Sequence, residues 1–505
     1  GDITFHQSWK QKDRVPFPTM EDSHGTEKSY RKVLRNSLTD LGVLKDDRQS
    51  SKQTIFSLWN ALSGAGAISY PWGFSESGIF MGLGVLLISP LSSLFTSFVT
   101  LDLSHGELEF SIMIYKYLGY KMQVFALFIS LFSVASTACQ AFSVLNSVFF
   151  YTIGAFNDWA TGNELTFGTV TLSEFSSTYT AVIIGIAMLA LSMLKKPALL
   201  MKIVSYGVIC SITVYSFVTA YGIYGWSQHY DKLVFTGDAH GDEIKVELFY
   251  SAGWSKCAAI FVQGFITQNM LYAFFKNQRH PENNKRDLSI AFLLTTGGYA
   301  IAATFGYIGW QAMYPNNIQQ NCIDNLSYTN PIAFIVRLGI MFQTCSVIPL
   351  FLYVIRTQLF GFFMNSEWPS SRHVFILNLV IIVACTIINL FFPKQLGMII
   401  DYSATICGIC ITFFLPLACV AAIDYRRYKG KNITYAPVVP LQDELINQSV
   451  NHDAEDTHEK EESHILEGEN RGEPLTLNKL GMNLAFYAFI FALGFGLLYF
   501  QFILQ

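Results

Sequence analysis

The residues with the most chemical promise lie between Thr54 and Gly78, in the run TIFSLWNALSGAGAISYPWGFSESG. The run is apolar and long enough to cross a bilayer, which takes about 20 apolar residues. Yet Ser63-Gly64-Ala65-Gly66-Ala67 interrupts it and Pro71 follows. Glycine and proline in a membrane helix free backbone N–H and C=O groups that lipid cannot satisfy, so such a break persists only against protein or a water-filled cavity. The chemistry it suits is the holding of a small zwitterion. N–H groups that start the second half-helix attract a carboxylate. Carbonyls that end the first half-helix take an ammonium, and Gly64 and Gly66 let backbone approach a ligand closely. Ser63, Gly64, Ala65, Gly66 and Ala67 are therefore candidate substrate-binding residues. The competing reading of the same pattern is a helix packed tightly through small residues, with no ligand.

Other chemistries find little support. No metal-ligand spacing, phosphate loop, nucleophile elbow or dinucleotide glycine pattern occurs in a fitting context, so neither an enzyme nor a cofactor is expected. Seven of the nine cysteines fall inside apolar stretches, as Cys139, Cys385, Cys407 and Cys410 do, where a thiol serves as a small hydrophobe. Cys257 and Cys322 fall at or near loops, which leaves open one disulfide that sequence alone does not assign.

The elements that must position these residues are membrane helices. The 505-residue chain is 51% hydrophobic, 15% aromatic and 14% charged, with mean hydropathy +0.34, whereas soluble domains carry about 25% charged residues. This is the composition of an all-α polytopic protein whose main partner is the lipid bilayer, and the net charge of −4 gives no reason to expect nucleic acid. Eleven spans are expected, near 54–76, 79–101, 121–150, 178–194, 200–225, 256–275, 288–312, 331–360, 374–392, 397–424 and 480–502. The chain then divides into four segments: a cytosolic N-terminal tail over 1–53, polar and without the apolar core of a signal peptide; a ten-helix core over 54–424; a cytosolic, partly disordered loop over 425–479; and an eleventh helix with a short luminal C-terminus over 480–505. Lys195, Lys196, Lys202, Lys276, Arg279, Lys285, Arg286, Arg356, Arg372, Arg426, Arg427, Lys429 and Lys431 all fall on one side, which by the positive-inside rule is the cytosol. Loops 151–177 and 313–330 carry no lysine or arginine. Of three glycosylation triplets, Asn325-Leu326-Ser327 is then on the modifiable side, and those at Asn432 and Asn447 are not. Arg337 and Asp401 fall toward the luminal side, where they either pair or snorkel to water. In the acidic stretch 453–474, Glu461 stands four residues before Ile465-Leu466, the spacing of an acidic dileucine sorting signal.

Asn60, Gly64-Ala65-Gly66 and Pro71-Trp72-Gly73 resemble the first helix of the amino acid/auxin permease superfamily, which includes the sodium-coupled neutral amino acid transporters. The run Glu282-Asn283-Asn284-Lys285-Arg286-Asp287-Leu288 is similar to the lysosomal, arginine-sensing branch of that family. So are RLGIMFQTCSVIPLFLYVIRTQLFG from Arg337, Asn378-Leu379, Ile399-Ile400-Asp401-Tyr402-Ser403 and Asn321-Cys322-Ile323. That branch has hydroxyl residues where Ala65 and Gly66 stand, and loop 151–177 has no cysteine to pair with Cys322. The resemblance implies a leucine-transporter-like fold, ten helices in a five-plus-five inverted repeat with helices one and six broken. It also implies secondary, sodium-coupled amino acid transport at the lysosomal or late endosomal membrane. The alternative it implies is an amino acid sensor that reports lysosomal nutrient status to a cytosolic signalling complex through the N-terminal tail. Span six, the partner of span one in such a fold, has Gly264 among polar residues, as a second break, a pocket wall or a set of interhelical ties. Phe265, Thr267 and Gln268, with Gln343 of span eight, join the substrate candidates. By the same resemblance the family holds sodium on span-one groups and a span-eight hydroxyl: Asn60 matches the first and Ser346 best matches the second, with Thr344 two residues before it as a further sodium candidate, although an asparagine there also suits a tie between helices.

Overall fold

The computed structural model describes residues 48–63, 65–104, 109–162, 175–195, 197–235, 240–251, 253–327, 329–364, 366–391, 403, 405–429 and 476–503. The chain divides into two units, 1–48 and 49–505, and every described residue except Arg48 belongs to the second. The tail read as a partner-binding segment lies outside the described residues, apart from Arg48. So do Gly64, Asp401, the sorting motif at Glu461 and Ile465-Leu466, and the triplets at Asn432 and Asn447.

The chain is helical and polytopic. The interrupted run gives α1 (Ser51–Ser63), a 3-10 turn (Ala65–Ile68) and α2 (Tyr70–Ser77). Pro71 sits in the first turn of α2, where its missing N–H and fixed φ cost nothing. Gly78, at φ 82°, ends it. Then come α3 (Ile79–Ser104), α4 (Phe110–Leu118), α5 (Tyr120–Thr161), α6 (Ser177–Ser192) and α7 (Pro197–His229). A minimal parallel pair, β1 (Leu233–Val234) and β2 (Ile244–Lys245), lies in the loop after α7. The second half brings α8 (Trp254–Gly264), α9 (Leu271–Phe275), α10 (Asn284–Met313), α11 (Pro331–Met364), α12 (Ser371–Phe391), a π stretch (Gly408–Phe414) continuing into α13 (Leu415–Tyr428), and α14 (Leu477–Ile503). Among the described residues seven helices are long and apolar enough to cross a membrane. Sequence spans one and six correspond to shorter pieces, 51–77 and 254–275. Exposed Leu91, Ile186, Ile209, Leu293 and Val380 make the outer surface apolar, as lipid contact requires.

Several boundaries differ from the sequence expectation. α5 runs to Thr161 rather than 150, because Thr152, Gly154 and Ala155 are still buried on its packed face. α4 was not expected; Glu109 caps it, its Oε2 accepting from the Ser111 N–H at 2.9 Å and the Ser111 hydroxyl at 2.6 Å. Burial pushes the Glu109 carboxyl above its usual range.

Packing centres on α1, which is enclosed by α7, α10 and α11. α7 and α10 meet backbone to backbone: a Cβ on Gly309 would collide with the Gly222 carbonyl, and one on Gly222 with the Phe305 carbonyl. Small residues are what allow membrane helices to come so close. α5 lies along α11, tied by the Ser130 hydroxyl donating to Gln358 at 2.8 Å. Asp424 of α13 accepts from Asn483 and Tyr487 of α14, both at 2.9 Å.

Two sequence readings are corrected here. Arg337 does not snorkel: it is 1% exposed, and its guanidinium donates to the carbonyls of Ile323 and Leu326 at 3.2 and 3.1 Å and lies over the Tyr151 ring; its proposed partner Asp401 lies outside the described residues. The 322–327 loop folds over Arg337, which supplies acceptors without water. All nine cysteines are free; Cys257 is buried within α8 against Gly73, so the disulfide left open for it and Cys322 is not formed. Asn325 ends a 3-10 turn, its Nδ2 donating to the Asn317 carbonyl at 2.8 Å.

Candidate functional site

The two interruptions lie side by side, and side chains satisfy the backbone they free. Ser63-Gly64-Ala65-Gly66 ends α1 because glycine is a poor helix former. The Leu62 carbonyl, released at that end, accepts from the Tyr299 hydroxyl of α10. Between α8 and α9, the Phe265 carbonyl accepts from the Ser93 hydroxyl, and the Asn269 carbonyl from Gln358 Nε2 at 3.0 Å. Non-helical backbone at this depth is thus held by protein donors, as the absence of water in lipid demands. Tyr70 joins the two interruptions. Its ring stacks on Phe261 at 5.0 Å and lies 4.0 Å from Tyr299. Its hydroxyl would stand 2.9 Å from a Cβ on Gly66 and 3.4 Å from one on Gly264.

Between these segments and helices α5 and α11 lies a cavity of about 100 Å³. Its lining joins Leu58, Gly66 and Tyr70 to Gln140 of α5, Gln263 and Gly264 of α8, Thr267 and Asn269 of the second interruption, and Gln343 and Thr344 of α11. Among the described residues, none that lines it is an aspartate, glutamate, lysine, arginine or histidine. A site of this kind offers hydrogen bonds and dipoles but no countercharge.

Of the residues singled out in the sequence, Gly66, Thr267, Gln343 and Thr344 line the cavity, whereas Ser63, Phe265 and Gln268 do not. Ser63 is fully buried. Phe265 packs on Phe292 and Tyr299 at 5.3 and 5.7 Å. The amide of Gln268 is consumed structurally: Nε2 donates to the Ser93 carbonyl and to Thr96 Oγ1 at 3.1 and 3.0 Å, while Oε1 accepts from the Thr267 N–H at 3.1 Å. Ala65 and Ala67 supply backbone to the 3-10 turn. Asn60 and Ser346 come together away from the lining. Asn60 Nδ2 donates to the Val204 carbonyl at 2.8 Å and to Ser346 Oγ at 3.1 Å, and Asn60 Oδ1 accepts from Ser211 Oγ at 3.2 Å. Ser346 in turn donates to the Gln343 carbonyl at 2.6 Å, and Gln343 Nε2 to Ser211 at 2.8 Å. Thr344, two residues from Ser346, points elsewhere on the helix and bonds its own Ile340 carbonyl at 2.7 Å. Sequence reading missed Ser211, Tyr70, Tyr299 and Gln140; only Tyr70, beside Pro71, lay close to a recognised signal.

A second cluster ties the start of α1 to the turn before α10. Gln49 pairs backbone with 277–279, its N–H donating to the Asn277 carbonyl at 2.8 Å and its carbonyl accepting from the Arg279 N–H at 2.9 Å. Thr54 donates to Gln278 Oε1, and Gln278 Nε2 donates to Asp287 at 2.6 Å. Asp287, fully buried, also takes the Arg286 guanidinium at 2.9 Å.

The family model described as "Transmembrane amino acid transporter protein" matches residues 47–433. The "Neutral amino acid transporter 9" of Xenopus tropicalis is 26% identical over 423 residues, covering 73% of this chain and 74% of its own length. The "Sodium-coupled neutral amino acid transporter 9 homolog" of Caenorhabditis elegans is 22% identical over 446 residues, covering 75% and 70%. In fold, the chain is similar to a closed, bromovinylhydantoin-bound structure of Mhp1, a nucleobase-cation-symport-1 family transporter, with TM-score 0.54, 12% identity, and coverage of 75% of this chain and 80% of that one.

Proposed function

The chain belongs to the transmembrane amino acid transporter family, and from that premise we propose that it carries neutral amino acids across the endolysosomal membrane by sodium-coupled alternating access. The observation that carries this reading is the cavity between the two interrupted segments, polar, uncharged and bordered by backbone whose helical bonding has stopped. A zwitterion brings its own two charges and needs dipoles rather than countercharges. Half-helix ends supply such dipoles in secondary transporters. In this reading the 51–77 and 254–275 segments are the broken first and sixth of eleven spans in a five-plus-five inverted repeat. The α-carboxylate and α-ammonium meet the Ser63–Ala67 backbone, and Gly66, Thr267, Gln343 and Thr344 border the rest of the ligand. The coupling ion takes oxygens near Asn60 and Ser346, drawing their hydroxyl and amide partners aside; the name of the nematode relative supports sodium as that ion. The lysine and arginine asymmetry supports a cytosolic N-terminus and luminal C-terminus, and Ile465-Leu466 supports endolysosomal sorting.

Reconstitution into proteoliposomes tests this. Saturable uptake of at least one neutral amino acid is expected, stimulated by an inward sodium gradient. Absence of flux for a full panel of amino acids, with protein folded and inserted, overturns the transporter reading. Flux indifferent to sodium removes the coupling alone.

A further inference from the structure

We propose that Asn269 is a specificity-determining residue of the cavity, which recognises a substrate side chain able both to donate and to accept a hydrogen bond. The proposal rests on the transporter reading above. Gln268 and Asn269 are neighbours in the segment between α8 and α9, and their environments are opposite. Every polar atom of the Gln268 amide has a partner. The Asn269 carbonyl is held by Gln358, which the Ser130 hydroxyl fixes from its other end. Asn269 is 3% exposed, and neither its Nδ2 nor its Oδ1 has a hydrogen-bond partner. Buried amides in folded proteins are almost always paired, and an unpaired one is unfavourable until something completes it. Asn269 is also among the cavity-lining residues, and no other described lining residue leaves a buried side-chain polar atom without a partner. Across the cavity, Gln263 Nε2 donates to Gln140 Oε1 at 3.1 Å, which pairs one group of each of those amides.

The missing partner must supply an acceptor for Nδ2 and a donor for Oδ1, side by side. A carboxamide or hydroxyl side chain does so. An aliphatic one leaves the amide unsatisfied, and a site built to pair a polar group rejects ligands lacking it far more strongly than an apolar pocket rejects a misfit. Wild-type carrier therefore prefers asparagine, glutamine or serine to an aliphatic residue of similar size.

The test compares wild type with Asn269→Leu, close in volume but without donor or acceptor, and with Asn269→Ser, which retains one hydroxyl. KM and maximal uptake are measured in proteoliposomes for glutamine and for leucine, with melting temperature in detergent as the check on folding. Expected is at least a tenfold rise in the glutamine KM for Asn269→Leu with maximal rate kept, an unchanged or lower leucine KM, and an intermediate glutamine KM for Asn269→Ser. Equal changes for both substrates, or no change for either, overturn the proposal and leave the amide to structural or water-mediated pairing. If Asn269→Leu does not fold, a glutamine-to-leucine KM ratio in Asn269→Ser equal to wild type overturns it instead. Failure of the transporter reading is separate: wild-type protein then takes up neither substrate.

Discussion

Replacing Asn60 by alanine removes the donor that Val204 and Ser346 accept from and the acceptor that Ser211 donates to. Buried groups left without partners cost about 1–3 kcal/mol, so Asn60→Ala is expected to lower thermal stability by that order at every sodium concentration. A melt unchanged from wild type would contradict the tie. Ser346→Ala separates the ion from the tie. If Ser346 supplies an oxygen to sodium, the midpoint of sodium-stimulated uptake rises severalfold; an unmoved midpoint removes Ser346 from the ion site. Legibility at this scale was uneven. Asn60 and Ser346 stood out because polar residues are scarce in membrane spans. Ser211 did not, since one serine in an apolar helix carries no motif. Gln268 was favoured over Asn269 because type alone cannot tell which amide is paired; that depends on Ser93 and Thr96, some 170 residues earlier.

The interruptions are elements in their own right, held by donors from other helices. Tyr299→Phe removes the hydroxyl that the Leu62 carbonyl accepts from while keeping the ring packed on Tyr70. A loss of about 1–3 kcal/mol in stability is expected, with hydrogen exchange rising around residues 62–66 in mass spectrometry; protection equal to wild type would contradict the assignment. At the start of α1, Gln278→Ala removes one of the two acceptors of Thr54 and one partner of Asp287. Faster exchange at Gln49 and Arg279, whose amides make the backbone pairing, is expected, and unchanged exchange would show that the pairing stands without the side chain. Hydropathy made the long helices legible, and glycine with proline marked the first interruption. The second was less clear because Gly264 alone signals it. α4 and the last eleven residues of α5 escaped: α4, nine residues long, is too short to read as a span, and Asn157-Asp158 interrupt the apolar run at the end of α5.

At the scale of the whole molecule, the close α7–α10 seam and the enclosure of α1 by α7, α10 and α11 make the interrupted segments part of the packed interior. That arrangement depends on residues far apart in sequence, so no local pattern announced it, whereas the membrane class followed from composition. The proposed orientation predicts a glycan on Asn325; glycosidase treatment of wild type and Asn325→Gln should show a mobility shift present only in the first, and a shift lost only in Asn432→Gln would invert the topology. The central claim is that substrate passes through the cavity beside Gly66, where a Cβ would stand 2.9 Å from the Tyr70 hydroxyl. Gly66→Val places a branched side chain in that space. The most direct measurement is radiolabelled amino acid uptake by proteoliposomes holding wild type or Gly66→Val, each shown to be folded by its melt. Saturable uptake by wild type and a loss of at least tenfold in the variant is the predicted result; wild-type flux through Gly66→Val would contradict the account.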